Sequence, residues 1–280
     1  LDFPSRQFNH AILCVPLEKD TMWLECTSQT VAPGYMGSFT GNRHALLITD
    51  EGGKIAATPR YGMNDNTQVR KIKAELTADA RLQIKANTVY SCLQQDDLQQ
   101  LINSLSKDKV KEVLHEELDF ATYEVERFDY KEQKSRKPSV EEQLDISVSN
   151  YATITGKRLF IIPNIMTRHA RRLTPDVNRK FELELDYEYR DTDSVEIIIP
   201  TGYTAESVPQ DVQLDTRFGR YRSSVKIDGN RILYQRTMEH FAGRFPASDY
   251  AELVKFYDAM YKADRAKMVL VKNETTPKSF

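Results

Sequence analysis

Two side chains near the N-terminus could do acid–base chemistry together. His10 lies in an apolar segment at residues 8–16, and Glu25 follows fifteen positions later, after a second apolar segment. If the two segments form a hairpin, the imidazole and the carboxylate can meet. A carboxylate bonded to an imidazole fixes its tautomer and stabilises its protonated form. This arrangement is typical of the base and orienting acid that activate a thiol nucleophile.

The thiol itself is predicted to be missing from this chain. No cysteine precedes His10. Cys14 follows His10 by four residues, so on one strand their Cα atoms would lie roughly 13 Å apart, too far for a hydrogen bond. Cys26 is adjacent to Glu25 and would point to the opposite face of a strand. The alternative is that His10 and Glu25 are ordinary strand residues with satisfied polar ends.

Composition bounds the class of protein. The chain has 280 residues, 40% of them hydrophobic and 29% charged, which is typical of a globular protein with one large or two ordinary domains. The net charge of -2 shows no excess of basic residues, so nucleic-acid binding is not indicated. Apolar runs such as Ala45–Ile48 are too short to span a membrane. Leu1 resembles a cut end, so we draw no expectation about a targeting segment.

No cofactor or metal site is predicted. Three cysteines without a CxxC pair exclude a zinc ribbon or a dense disulfide framework, and Cys14 and Cys92 are expected in the core. The remaining histidines have no neighbours at metal-ligand spacing, and one of them, His169, lies in a basic loop that we interpret as a solvated bend. Three aspartates could suggest calcium but lack a glycine-punctuated loop; these are Asp186, Asp191 and Asp193.

Period-two alternation and turn residues predict a protein made mainly of strands. Residues 8–16 and 22–27 form one expected hairpin, and residues 45–49 and 54–58 another, around Glu51-Gly52-Gly53. Asp228-Gly229-Asn230 predicts a third turn. Helices are expected near 96–118 and 248–262, where apolar residues recur at helical spacing.

Several surface features allow two interpretations. The charged stretch 123–143 could be a partner-binding loop, but a solvated hairpin is favoured. Trp23 and several tyrosines could line a sugar-binding face, but cross-strand packing is favoured; the tyrosines are Tyr187, Tyr189, Tyr203, Tyr221 and Tyr234.

Two stretches of the chain resemble known sequences. Residues 8–49 contain Phe8-Asn9-His10-Ala11, Trp23-Leu24-Glu25-Cys26-Thr27-Ser28 and Gly41-Asn42-Arg43-His44. This stretch resembles the end of a transglutaminase-like core. Residues 171–272 resemble the β-rich domain of unknown function that follows such a core in many bacterial proteins, particularly of Bacteroidetes. The matching residues there are Ile198-Ile199-Pro200-Thr201-Gly202-Tyr203, Phe218-Gly219-Arg220-Tyr221, Gly243-Arg244-Phe245-Pro246 and Ala263-Asp264.

The resemblance implies roles for the two candidate residues. His10 would be the general base and Glu25 the orienting acid of a Cys–His–acid site whose nucleophile lies upstream. The family uses Asp where this chain has Glu25, and the extra methylene moves the carboxylate by roughly 1.5 Å. The resemblance also implies a periplasmic or secreted protein.

The expected architecture has three parts. Residues 1–60 would be the last strands of a transglutaminase-like α+β core, and residues 61–272 an antiparallel β-sandwich or jelly-roll-like domain with a few helices. Residues 273–280 would be a tail.

The expected function is an accessory or substrate-presenting part of a transglutaminase-like cysteine protein, inactive by itself. One alternative is that the intact parent is a peptidase or amidase that uses His10 and Glu25 on peptide or protein substrates. The other is a non-catalytic ligand-binding or structural β-sandwich. The oligomeric state has no sequence signal.

Overall fold

The fold is described from a computed structural model that covers residues 8–170 and 172–273. The predicted tail therefore lies outside the described residues, except for Asn273. The N-terminal segment holds two separate hairpins and one short helix. These elements are β1 (Leu13–Pro16), β2 (Thr21–Leu24), α1 (Gly37–Thr40), β3 (His44–Thr49) and β4 (Gly52–Ala57).

One large sheet dominates the rest of the chain. Its eight strands lie in the order β14-β15-β16-β12-β5-β6-β8-β7. Their bounds are β5 (Thr67–Leu76), β6 (Leu82–Ser91), β7 (Tyr123–Gln133), β8 (Ser139–Val148), β12 (Tyr189–Ile198), β14 (Val212–Thr216), β15 (Gly219–Asp228) and β16 (Arg231–His240).

A second sheet packs on this one. Its four strands have the order β13-β18-β10-β9, with β9 (Thr153–Thr155), β10 (Arg158–Ile161), β13 (Tyr203–Ser207) and β18 (Met268–Lys272). Leu159 and Leu270 of this sheet share one buried core with Ile84 and Ile146 of the large sheet. Face-to-face packing through alternating inward residues is the architecture of a β-sandwich.

Three helices pack against the sandwich. They are α2 (Asp96–Ser104), α3 (Lys107–Glu117) and α4 (Tyr250–Ala263), and a further small ladder joins β11 (Leu183–Leu185) to β17 (Gly243–Phe245). The side chain of Ser106 caps α3 by accepting a hydrogen bond from the Lys109 amide. The buried face of α4 packs on Phe218 and Met238 in a second core. No described helix has the length and apolarity needed to cross a membrane.

The prediction of a mainly β protein with a few helices is confirmed. The large sheet is mixed, however, because β12 pairs in parallel with β5. A parallel pair needs a long crossover connection, and here the chain between the two strands builds three strands of the large sheet and two of the second sheet before it returns. Alternation alone does not distinguish this arrangement from an antiparallel one.

Two hairpins differ from expectation in detail. Thr49 pairs with Gly52, so the turn is Asp50–Glu51, and Gly52 begins β4 with a φ of +113°. The strands β1 and β2 are shorter than predicted, and His10 and Glu25 lie just outside them. The turn at Gly229 has the predicted position, with Asp228 paired to Arg231 and a φ of +60° that suits glycine.

Candidate functional site

His10 and Glu25 contact each other directly. The Nε2 atom of His10 lies 3.0 Å from both carboxylate oxygens of Glu25. Antiparallel pairing explains the contact, because Leu13 is opposite Leu24 in the β1–β2 hairpin and the flanking residues therefore come together at its open end. The side chains are mostly enclosed, with 21% of His10 and 9% of Glu25 exposed.

Hydrogen bonds hold the carboxylate of Glu25 in place. Thr27 donates twice to Glu25, from its backbone amide at 3.0 Å and from its hydroxyl at 2.7 Å. The hydroxyl of Thr40 lies 3.5 Å from the other oxygen. Burial raises the pKa of Glu25, but the two Thr27 donors and the His10 ring outweigh it, so the pKa lies below its usual value. Glu25 is therefore an anion at neutral pH.

The orientation of the ring leaves one nitrogen of His10 available. An ionised carboxylate only accepts hydrogen bonds, so Nε2 carries the proton and Nδ1 carries a lone pair in the neutral ring. Within residues 8–170 and 172–273, Nδ1 has no hydrogen-bond partner. The edge of the ring packs on Phe39, with the centroids 5.0 Å apart. The pair can therefore accept a proton at Nδ1.

The three cysteines lie elsewhere. Cys92 is fully buried, and burial raises the pKa of its thiol to about 12. Cys14 is opposite Trp23 in the β1–β2 hairpin and only half-buried, so the expected core position is wrong for this residue. Cys26 is exposed and lies beyond the end of β2, where its Sγ is 3.6 Å from the Leu24 carbonyl oxygen. None of the three hydrogen-bonds to His10.

A short helix and two tyrosines support the pair. Thr40 closes α1 by donating to the Met36 carbonyl oxygen at 2.6 Å, and the Met36 amide donates to the Tyr61 hydroxyl at 3.1 Å. Tyr35 is only 2% exposed, and its hydroxyl donates a 2.7 Å hydrogen bond to Asp96 at the start of α2. The segment that carries Glu25 and Thr40 is thus tied to the sandwich.

The charged stretch 123–143 forms the β7–β8 hairpin, and its turn contacts the N-terminal segment. Arg136 pairs with Asp20, and Lys137 pairs with Asp65 at 2.5 Å. The favoured prediction of a wholly solvated hairpin is therefore incomplete. The turn is exposed, but two of its cations bind acids of the same chain.

A cleft opens beside Glu25. Its volume is about 560 Å³, within the range of small-ligand sites. One wall is the loop and helix from Glu25 to Thr40, the second is α2 with the turn before it, and the third is the end of the β7–β8 hairpin. The predicted site residue Glu25 therefore lies at the edge of a space large enough for a ligand.

Two of the remaining histidines, His169 and His240, have structural partners. His240 is buried, its Nδ1 lies 2.9 Å from the Tyr187 carbonyl oxygen, and burial lowers its pKa. His169 stacks on Tyr257. Among the residues that the structure describes, no group of three histidine, cysteine, aspartate or glutamate side chains could hold a metal ion.

The aromatic residues do not form a shared exposed face. Trp23, Tyr221 and Tyr234 are buried, and Tyr187 packs against Tyr189. This arrangement agrees with the favoured packing interpretation.

Sequence reasoning missed a buried charged network on the inner face of the large sheet. Arg236, 3% exposed, lies 3.2 Å from Asp193 and 3.0 Å from Asp264. Tyr221 also donates to Asp264, at 2.7 Å. The available signal was the alternation in β16, which places Arg236 on the same face as Tyr234 and Met238.

A family comparison matches part of the second half of the chain. Residues 157–270 match DUF3858, described as a domain of unknown function with a solved structure. The match spans β10 to β18 and includes α4, about two fifths of the chain. It confirms the predicted domain of unknown function in this region. The resemblance of residues 8–49 to a transglutaminase-like core rests on their sequence alone.

A solved structure shows a weaker likeness. It is the crystal structure of a "putative protease" from Parabacteroides distasonis, 17% identical, with a TM-score of 0.34. The alignment covers 40% of this chain and 23% of that one, so this chain spans about a quarter of its length. No curated protein matches the chain. The chain is thus similar over residues 157–270 to a domain family whose function is unknown.

Proposed function

We propose that this chain is an accessory, substrate-presenting part of a transglutaminase-like cysteine protein, to which it supplies the general base and the orienting acid. The observation that carries the proposal is the contact between His10 Nε2 and Glu25, which leaves Nδ1 free to accept a proton. The nucleophilic thiol would come from outside this chain. The sandwich and its helices form two walls of the adjoining cleft and would present the substrate.

The chemistry follows from the protonation states. Nδ1 of His10 would take the proton of the incoming thiol, and Glu25 would stabilise the imidazolium through Nε2. The thiolate would add to an amide carbonyl, and the amine would leave with the proton returned from Nδ1. Water or a second amine would then cleave the thioester. A chain without the thiol forms no acyl intermediate.

An introduced thiol tests the base. Phe39 is exposed, and its ring lies 5.0 Å from that of His10, so Phe39→Cys places a thiol beside the imidazole. An ordinary thiol with a pKa of about 8.5 is about 1% ionised at pH 6.5, and a neighbouring imidazolium lowers that pKa. We expect alkylation by iodoacetamide at this position, read by mass spectrometry, to be about tenfold faster than in the double variant with His10→Ala.

Equal alkylation rates in the two variants would overturn the proposed base and favour a non-catalytic binding module. The unaltered chain provides a second test. We expect it neither to cleave peptide amides nor to trap an acylating, substrate-like probe. Labelling of Cys14 or Cys26 by such a probe, abolished by His10→Ala, would contradict the statement that the chain lacks its nucleophile.

A further inference from the structure

The β3–β4 hairpin is a two-stranded sheet that no other strand of the described residues joins. One of its faces is apolar and open, with Ile48 83%, Ile55 64% and Leu46 40% exposed. These side chains share a face because Leu46 is opposite Ile55 and Ile48 lies two positions further along β3. A hairpin alone is only marginally stable in water, and a third strand or a packed apolar face stabilises it. The hairpin therefore has the composition of a sheet that gains stability from a further strand.

The free edge of β3 offers backbone groups to such a strand. In a two-residue hairpin the pair that closes the turn, here Thr49 and Gly52, is hydrogen-bonded. Leu46 and Ile48 belong to the alternate pairs and direct their N–H and C=O groups outward. Within residues 8–170 and 172–273, neither residue makes a backbone hydrogen bond beyond the hairpin. The strand also lacks Pro, Lys, Arg, Asp and Glu, the residues that commonly protect an edge from pairing.

The edge strand β7 of the large sheet is built differently. Six of its eleven residues are charged, and a bulge interrupts its ladder between Val125 and Arg127. Charges and bulges both oppose the addition of another strand. The chain thus protects the edge of β7 and leaves the edge of β3 open.

The sequence of β3 is self-complementary in an antiparallel arrangement. Two copies related by a two-fold axis at Leu47 place Leu46 of each copy opposite Ile48 of the other. The outward backbone groups of these two residues then face each other and can form hydrogen-bonded pairs. Their side chains lie on the same face of the combined sheet, where cross-strand apolar pairs are stabilising.

The same register matches charges. It places His44 of one copy opposite Asp50 of the other, and Arg43 opposite Glu51. All four side chains are exposed and able to reach across the strands. An axis moved by one residue in either direction loses both pairs. Apolar matching and charge complementarity therefore select one register, with the axis at Leu47.

We propose that β3 docks on β3 of a second copy of this chain and forms a four-stranded sheet with the strand order β4-β3-β3-β4. The interface is independent of the proposed function, since it uses neither His10 nor Glu25. A strand of six residues is small beside the roughly 20–30 residues that each partner of a stable complex contributes. The dimer is therefore weak and forms in a concentration-dependent manner.

Analytical ultracentrifugation of the full chain tests the association. Across about 5–500 μM, we expect the sedimentation coefficient to rise from that of a monomer toward that of a dimer. Ile48→Lys should abolish the rise, because a charge at a strand edge opposes pairing, and the exposed position leaves the fold intact. Val177→Lys is the matched control, since Val177 is 96% exposed but lies outside the hairpin; it should associate like the unaltered chain.

A disulfide reports the register. At the axis the two Leu47 residues form a non-hydrogen-bonded pair with Cα atoms roughly 4.5 Å apart, a distance that a disulfide spans. In a chain with Cys14→Ser and Cys26→Ser, Leu47→Cys should crosslink under oxidised glutathione about tenfold faster than Ala45→Cys. The two copies of position 45 are displaced by four residues along the strands, about 13 Å, which is too far for a disulfide.

Charge exchange tests the pairs at the ends of the interface. Asp50→Lys should weaken the dimer about fivefold, because it replaces an attraction to His44 of the second copy with a repulsion. Adding His44→Glu to Asp50→Lys should restore the affinity.

Three outcomes would overturn the proposal. These are a chain that stays monomeric at the highest concentration, equal association of Ile48→Lys and Val177→Lys, or equal crosslinking of Leu47→Cys and Ala45→Cys. Hydrogen exchange identifies a different occupant of the edge. Slow exchange of the Leu46 and Ile48 amides in a monomeric chain would assign the edge of β3 to another segment of the same chain and exclude the dimer.

Discussion

The hydroxyl of Tyr35 donates a 2.7 Å hydrogen bond to Asp96, and this bond joins the segment that carries the candidate site to helix α2 of the sandwich. Tyr35 is 2% exposed, and Asp96 is partly buried, so that burial raises the pKa of Asp96 despite the hydrogen bonds that it accepts. The same helix lines the cleft beside Glu25. The position of the site therefore depends on a polar contact inside the protein.

Tyr35→Phe should destabilise the fold by about 1–3 kcal/mol. The substitution removes one donor and leaves the partly buried carboxylate of Asp96 with one fewer partner, which costs more than the hydrogen bond alone is worth. Urea denaturation measures the difference. Tyr203→Phe is the control, because the Tyr203 hydroxyl has no hydrogen bond to another described residue; its effect should stay within about 0.5 kcal/mol. Equal stabilities for the two variants would show that the contact is not stabilising.

Glu25→Gln should change the tautomer of His10. Without the carboxylate, nothing in the pair requires the proton to stay on Nε2, since an amide can accept from or donate to the ring. We expect ¹⁵N NMR to show the Nε2–H form of neutral His10 in the unaltered chain and a mixture of tautomers in Glu25→Gln.

Glu25→Asp tests the role of side-chain length at the same position. Its carboxylate is set back by about 1.5 Å, so it should lose the 3.0 Å contact with Nε2 unless the backbone moves. The same NMR measurement should give a tautomer mixture close to that of Glu25→Gln. A pure Nε2–H form in both variants would mean that the ring is oriented by packing on Phe39 alone.

Arg236→Met should destabilise the fold by about 3–5 kcal/mol. The substitution leaves Asp193 and Asp264 buried without their shared cation, and an uncompensated buried charge is costly. Chemical denaturation measures the loss. Arg220→Met is the matched control on the neighbouring strand, since Arg220 is about half exposed and its ion pairs lie at the surface. A loss below about 1 kcal/mol for Arg236→Met would show that the network relaxes around the substitution.

Asp191→Asn should become increasingly stabilising as pH rises. Burial and the nearby charge of Asp193 raise the pKa of Asp191 to about 7, although Arg236 lowers it. The folded state thus holds this proton more tightly than the unfolded state, so the contribution of Asp191 to stability falls between about pH 4 and pH 7. Asparagine has no such titration and can still accept the 2.7 Å hydrogen bond from Gln94.

The free energy of unfolding of Asp191→Asn should therefore exceed that of the unaltered chain by more at pH 8 than at pH 5. We expect a change in the difference of about 1–3 kcal/mol, because the side chain keeps some contact with water. Asp186→Asn, at an exposed position shortly before β12, should show no such trend. If the difference in free energy of unfolding between Asp191→Asn and the unaltered chain did not change with pH, the pKa of Asp191 would be that of an ordinary carboxylate.

The strands could be predicted from short sequence patterns, because strand formation depends mainly on residues close together in the chain. Alternation in residues 231–240 is enough to predict β16, and a glycine at position 229 is enough to predict its turn, since backbone conformation there depends on a few adjacent residues. The same patterns contain no information on which strands become neighbours. The parallel pairing of β5 with β12 joins residues more than a hundred positions apart, and only packing of the whole sheet selects it.

The sequence by itself determined that His10 and Glu25 could meet, because one hairpin brings them together and its turn is short. Only the tertiary structure decided what surrounds them. The cleft beside Glu25 is built from three segments that are distant in the chain, and Lys134 lines it because the β7–β8 hairpin folds back onto the N-terminal segment. The reason is physical: enclosure and charge pairing depend on distances in space, and separation along the chain does not set those distances.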